Sequence, residues 1–266
     1  MPQTRGYNTA HLPARVTADI AAAACAGVLV APVITVIDRG IIENASGTRT
    51  LGASVIASLR LLLTRPHAFV FSKPFALVFT LYTGTYLTAN TVDTLSSTLG
   101  PSPPSTVTFG APKFLATSSA NLALCLWKDT HFTRLFGLSS PRALPPATYA
   151  LFTLRDCLTI GASFNLPPLL APYVPLGLRQ VTGWRPESVA QFIAPAAVQV
   201  VSTPMHLLGL DWYNRAGGEG VGGRWRRVRG AWGVSVLARV GRIVPAFGVG
   251  GVVNSGVRRE LMGGLE

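Results

Sequence analysis

The sequence predicts an all-α membrane protein: six transmembrane helices in three tandem helix-pair repeats, with short surface helices between the members of each pair. Three observations carry this. Charged residues make up 13% of the chain, against about 25% in ordinary soluble domains, and mean hydropathy is +0.39. Apolar segments recur along the whole length. The basic residues between them alternate in density, as cytoplasmic and opposite loops of a multi-pass protein do.

The first apolar segment covers residues 20–37 without a charge, bracketed by Asp19 and by Asp38-Arg39. The second covers 74–92 and the third 114–127. A fourth lies within 149–178 and is broken by "NLPPLLAP", whose prolines cannot continue a regular helix. The fifth covers 189–210 and the sixth 243–257. Several approach the roughly 20 residues that cross a hydrocarbon core. The third and sixth are shorter, and their Gly, Ser and Asn point to helices packed together around a polar interior. Between the first two segments, "TLGASVIASLRLLL" places apolar residues at helical spacing, which suits a helix lying along the surface.

Loops following the odd segments hold sixteen basic residues and the remaining regions seven, an alternation that puts both termini on the less basic face. The net charge of +12 is almost wholly arginine, since Lys73, Lys113 and Lys128 are the only lysines. No nucleic-acid-binding motif accompanies it, so the expected partners are membrane lipids and not nucleic acid. "RWRRVR" at 224–229 suits a headgroup boundary rich in anionic lipid, with cardiolipin as one such lipid. Cys25, Cys125 and Cys157 form no CxxC pair, which leaves them as small buried residues without a metal. No P-loop, hydrolase elbow or dinucleotide fingerprint is present, so neither an enzyme nor a cofactor is expected.

Pro32 stands six residues before Asp38, Pro204 seven before Asp211, and Asp129 holds the same relation to the third segment. The chain therefore divides into a tail at 1–15, a first repeat at 16–98, a Pro/Ser-rich linker at 99–110, a second repeat at 111–180 and a third at 181–262.

This plan resembles the mitochondrial carrier family, with its three repeats, six helices and a proline kink near the end of each odd helix. "LARVGRIVPAFGVGGVVNSGVRREL" is similar to that family's sixth helix. The resemblance implies a mitochondrial membrane, inner or outer, and a small anionic solute as cargo. It also implies Pro32 and Pro204 as helix kinks. The family motif Pro-x-Asp/Glu-x-x-Lys/Arg departs to Pro32-x-Ile34-x-x-Ile37, Ala123-x-Cys125-x-x-Lys128 and Pro204-x-His206-x-x-Gly209. The kink geometry is kept while the ionic latches of both gates are lost.

The resemblance also makes Arg242 a substrate-contacting arginine. An arginine in a membrane cavity needs an anion or water, although one at a span's end also snorkels to the interface. Arg155 and Asp156 follow as a basic-acidic pair on the fourth helix, though neighbours in a helix do not face each other and need not pair. His206 takes the motif's acidic position. Tyr82, Tyr86 and Asn90 share one helix face, either lining a cavity or bonding helices together. Asp38, Asp129 and Asp211 form either a replacement network with Arg39, Lys128 and Arg215 or simple charged ends of spans. Two functions are open: a carrier-like transporter, or a carrier-fold adaptor in the mitochondrial outer membrane that transports nothing. Loss of the latches favours the adaptor, and the cavity arginines favour the transporter.

Overall fold

The computed structural model describes residues 7–45, 48–136, 146–214 and 220–265, which are helical with no strand among them. The elements in chain order are α1 Leu12–Ala45, α2 Leu51–Thr64, α3 Pro66–Val70, α4 Lys73–Leu99, α5 Ala111–Phe136, α6 Pro146–Phe164, α7 Leu166–Leu170, α8 Leu176–Thr182, α9 Pro186–Asn214, α10 Val221–Ile243 and α11 Gly250–Gly263. A π-helical turn, Val244–Val249, joins α10 to α11 without a break.

The long helices form a closed ring in chain order. α1 packs on α4, α4 on α5, α5 on α6, α6 on α9, α9 on α10 and the π turn, and α11 returns to α1. Among the described residues, three stretches are long and apolar enough to cross a membrane: Leu12–Gly40, Pro186–Gly209 and Ser235–Gly263. The expected second, third and fourth spans fall short of that standard because polar residues interrupt them, mainly Thr, Ser and Asn in α4 and α5 and Arg155-Asp156 in α6. α4 handles this internally. Thr85, Thr88, Thr91 and Thr98 donate their hydroxyls to the carbonyls of Leu81, Gly84, Leu87 and Thr94, so these four hydroxyls are satisfied within the helix itself.

The helix expected at residues 50–63 is present as α2, with Thr50 as its N-cap accepting from Ala53 N. The last third does not repeat this pattern, because α10 runs directly into the π turn and α11 as one helical rod. The break expected at "NLPPLLAP" is present: α6 stops at Phe164, and a five-residue helix and a 3₁₀ turn follow. Cys25 is exposed rather than buried. It lies on the outward stripe of α1 with Val28 and Leu29, both also exposed.

Helix runs unbroken through Pro32 in α1 and through Pro195 and Pro204 in α9. Small residues set the closest helix approaches. A Cβ on Gly250 would overlap the Tyr86 hydroxyl and stand 2.7 Å from Val30 Cγ2. That contact draws α11 against both α1 and α4.

Candidate functional site

Two cavities lie inside the ring, separated by aromatic rings. The first, about 300 Å³, is lined by Tyr86, Asn90, Lys113, Phe164, Gln191 and Arg258 among others. The second, about 380 Å³, includes Tyr82, Arg155, Asp156, His206, Arg239, Arg242 and Phe247 in its wall. Tyr86, Phe164 and Phe247 meet edge-on, with centroids 5.6, 5.8 and 6.4 Å apart, and Tyr82 meets Phe247 at 5.7 Å. Tyr86 and Phe164 thus face one cavity while Tyr82 and Phe247 face the other.

The π turn builds this septum. Pro245 stands at its start and has no N–H to donate, and the turn presents carbonyls to neighbouring helices. Side chains from other helices take them: the Tyr86 hydroxyl donates to Ala246 O, and Gln191 Nε2 donates to Phe247 O at 2.8 Å. The same amide nitrogen reaches Ser163 O at 2.8 Å, so Gln191 ties α6, α9 and the π turn together.

Ion pairs join the helices beyond each cavity. Beside the first, Arg258 Nε meets Asp19 Oδ1 at 2.8 Å, with both side chains almost fully buried. Thr94 Oγ1 donates to Asp19 Oδ2 at 2.6 Å and accepts from Arg258 Nη2 at 3.1 Å. Lys113 Nζ bridges both oxygens of Asp93 at 2.8 and 2.9 Å. Arg15, also buried, donates to Thr94 O at 3.2 Å and to Ser97 Oγ. Beside the second cavity, Asp38 of α1 receives Lys128 of α5 at 2.5 Å and Arg242 of α10 at 3.2 Å. At 1.5 Å per residue, Asp19 and Asp38 stand roughly 28 Å apart along α1, close to the thickness of a bilayer's hydrocarbon core.

The acids and bases do not follow the carrier motif, yet ion pairs join helices beside both cavities. Arg155 and Asp156 do pair. The long arginine arm folds back, placing Nε 2.8 Å from Asp156 Oδ1 and Nη2 2.6 Å from Oδ2. Arg155 lies over the Phe152 ring at 4.8 Å, and its Nη1 stands 2.8 Å from His206 Nδ1. Arginine only donates, so His206 accepts at Nδ1 and carries its proton on Nε2.

Other sequence-derived candidates fall as follows. Asn90 and Asn254 exchange a reciprocal amide pair at 2.9 and 2.8 Å, and Asn90 also donates to Asp19 O. Tyr86 and Asn90 line the first cavity, whereas Arg155, Asp156, His206 and Arg242 line the second. Arg39 pairs with Glu43 on its own helix at 2.8 Å and lies over Phe136. Asp211 pairs with Arg224 and Arg227, both at 2.8 Å. The Asp129 side chain and Arg215 lie outside the described residues.

Sequence reasoning missed Arg15, Asp19, Lys113, Arg258 and Arg239, treating them as loop or tail charges. For Arg239 a signal existed. Ser235, Arg239 and Arg242 follow helical spacing and share the face of α10 that lines the second cavity.

A family model described as a probable citrulline exporter matches residues 22–262. The chain belongs to that family. No curated protein and no solved structure matches it.

Membership in the citrulline exporter family overturns the likeness to mitochondrial carriers. Apolar segments at even spacing, prolines inside helices and alternating basic loops are demands that a bilayer makes of multi-pass proteins in general. Only the salt-bridge motifs distinguish carriers, and those are the residues that this chain lacks. The mitochondrial location came from the same likeness and has no other support. Membrane transport fits both the exporter family and the apolar helices.

Proposed function

We propose that this protein is a multi-pass membrane exporter of citrulline or an amino acid of the same build, with the second cavity as its cargo site. The observation that carries the reading is the meeting of Arg155, Arg239, Arg242 and Asp156 in one cavity of about 380 Å³. Sites for small molecules span about 300–1,000 Å³. Citrulline is a zwitterion with a neutral ureido side chain. An arginine fork matches its carboxylate, an aspartate its ammonium, and ionisable groups inside a membrane mark solute paths. The cargo is thus a net-neutral zwitterion, in place of the small anionic solute expected from sequence.

Passage between the cavities requires the Tyr86–Phe164–Phe247 septum to part while one ion network opens and the other holds, as alternating access demands. We read α4, α5 and α6 as spans alongside the three apolar ones, because they stand beside them in the ring and the basic loops alternate accordingly. Exposed Arg226 and Arg229 on α10 are placed to meet anionic headgroups.

Purified protein in liposomes tests the transport reading. Labelled citrulline should cross, and folded protein that moves no amino acid would overturn it. Cysteine at Arg49 or Gly264 tests the topology. An even number of spans places the two on opposite faces, so labelling of both from one side would defeat it.

A further inference from the structure

The charges around the second cavity do not cancel. Arg155 is engaged bidentately by Asp156. Asp38 faces both Lys128 and Arg242. Arg239 is held by neutral atoms: Nε and Nη2 reach Gln199 Oε1 at 3.0 and 2.7 Å, and Nη2 reaches Ser202 Oγ at 3.2 Å. No acid forms an ion pair with it among the described residues. Among the described residues the cavity wall holds three arginines and one acid, and Arg239, which no acid there pairs with, leaves the wall a surplus of positive charge. His206 adds no negative charge, since it accepts from Arg155 as a neutral ring.

A guanidinium in a low-dielectric cavity is poorly stabilised by an amide and a hydroxyl alone, and an entering anion supplies what is missing. The fork is also held in place. Gln199 is fully buried, its Nε2 donates to Pro195 O at 2.9 Å, and its Oε1 accepts from Ser202 as well as Arg239. Nε and Nη2 are fixed by these contacts, and Nη1 makes no hydrogen bond among the described residues. Arg242 differs, because its guanidinium already faces Asp38 and joins α10 to α1.

We infer that Arg239 receives the cargo's carboxylate and Asp156 faces its ammonium. The positive surplus then selects amino acids with neutral side chains over those bearing a second cation. This rests on the second cavity being the cargo site. Asp156 keeps free acceptor capacity beyond its two bonds to Arg155, so it can meet an ammonium without releasing the arginine. A substrate with a guanidinium or amine side chain would bring a further cation beside Arg239.

The test uses the purified full chain and titrates binding of citrulline, of citrulline amide (a neutral carboxamide in place of the carboxylate) and of arginine. Wild type should bind citrulline about ten- to a hundredfold more tightly than either of the others, the span expected for one charge-assisted contact. Arg239→Gln should remove that advantage over the amide, and the amide, itself a net cation, should bind the variant no more weakly than it binds wild type. Arg239→Lys should restore part of it, and it serves as the informative variant if Arg239→Gln does not fold.

Equal binding of citrulline by wild type and Arg239→Gln would overturn the inference. So would a wild type that binds the amide or arginine as well as citrulline, or that binds none of the three. Arg239-dependent binding without movement in liposomes would leave the inference standing and defeat the exporter reading.

Discussion

The indole Nε1 of Trp232 donates to the carbonyl of Val200 at 3.0 Å, and Val200 lies four residues before Pro204. Pro204 has no N–H, so this carbonyl is the one that its own helix leaves without a partner. An unpaired carbonyl in hydrocarbon costs several kcal/mol. Trp232 therefore makes the proline tolerable and joins α10 to α9 at the same point. Trp232→Phe should lower stability by about 1–3 kcal/mol. In a Pro204→Ala background, where a backbone N–H is restored, the same change should cost clearly less. Unfolding of the four proteins in detergent measures the difference, and equal costs would show that the two residues are uncoupled.

Asp38 neutralises two cations from two other helices, so Asp38→Asn leaves Lys128 and Arg242 facing each other. Breaking a buried pair from one side costs about 3–5 kcal/mol. Adding Lys128→Gln should recover part of the loss, because one stranded charge is removed. A double variant less stable than Asp38→Asn alone would contradict this.

Asp211 lies beyond the apolar stretch of α9. Its hydrogen bond from Arg227, with the nearby Arg227 and Arg224 charges, holds its carboxyl below the ordinary carboxylate range. A depressed native pKa stabilises the fold above the unfolded value near 4 and loses that contribution as pH falls through the native value. Thermal stability should therefore drop below about pH 4, and Asp211→Asn should flatten that part of the profile. An identical acid limb in the variant would assign the drop to other carboxylates.

Gly250 admits no side chain without displacing the Tyr86 hydroxyl or Val30. Gly250→Ala should cost about 1–3 kcal/mol as overpacking, despite alanine's better helix propensity. It should also loosen the hydrogen bond from Tyr86 to Ala246 O, which a shift in tyrosine absorbance would register. A variant as stable as wild type would show that the approach of α11 to α4 is not tight.

The charged residues show where sequence reading stops. Arg15, Asp19, Lys113 and Arg258 look like span ends because charge normally marks the edge of hydrocarbon. Their helices nevertheless run on past them, and all four side chains are buried. α1 begins at Leu12 and ends at Ala45, well outside its uncharged stretch. Arg239 was counted with a basic loop for the same reason, although its spacing to Arg242 already placed both on one helical face. Tyr86 and Asn90 were legible as one face, but not which cavity that face would line.

Local chemistry determined that the chain is helical and membrane-embedded. Proline placed the break after Phe164, and apolar periodicity placed a helix at residues 50–63, where α2 is found. Those properties depend on residues within a few turns of each other, and composition carries them. Tertiary structure decided which charges meet. Asp19 finds Arg258 across 239 residues and Asp38 finds Arg242 across 204, because ring closure sets α11 and the π turn that follows Arg242 beside α1. A carboxylate's sequence neighbourhood does not say which of 23 basic side chains will neutralise it. In low dielectric that choice separates a structural latch from a cation left for cargo, and only helix packing makes it.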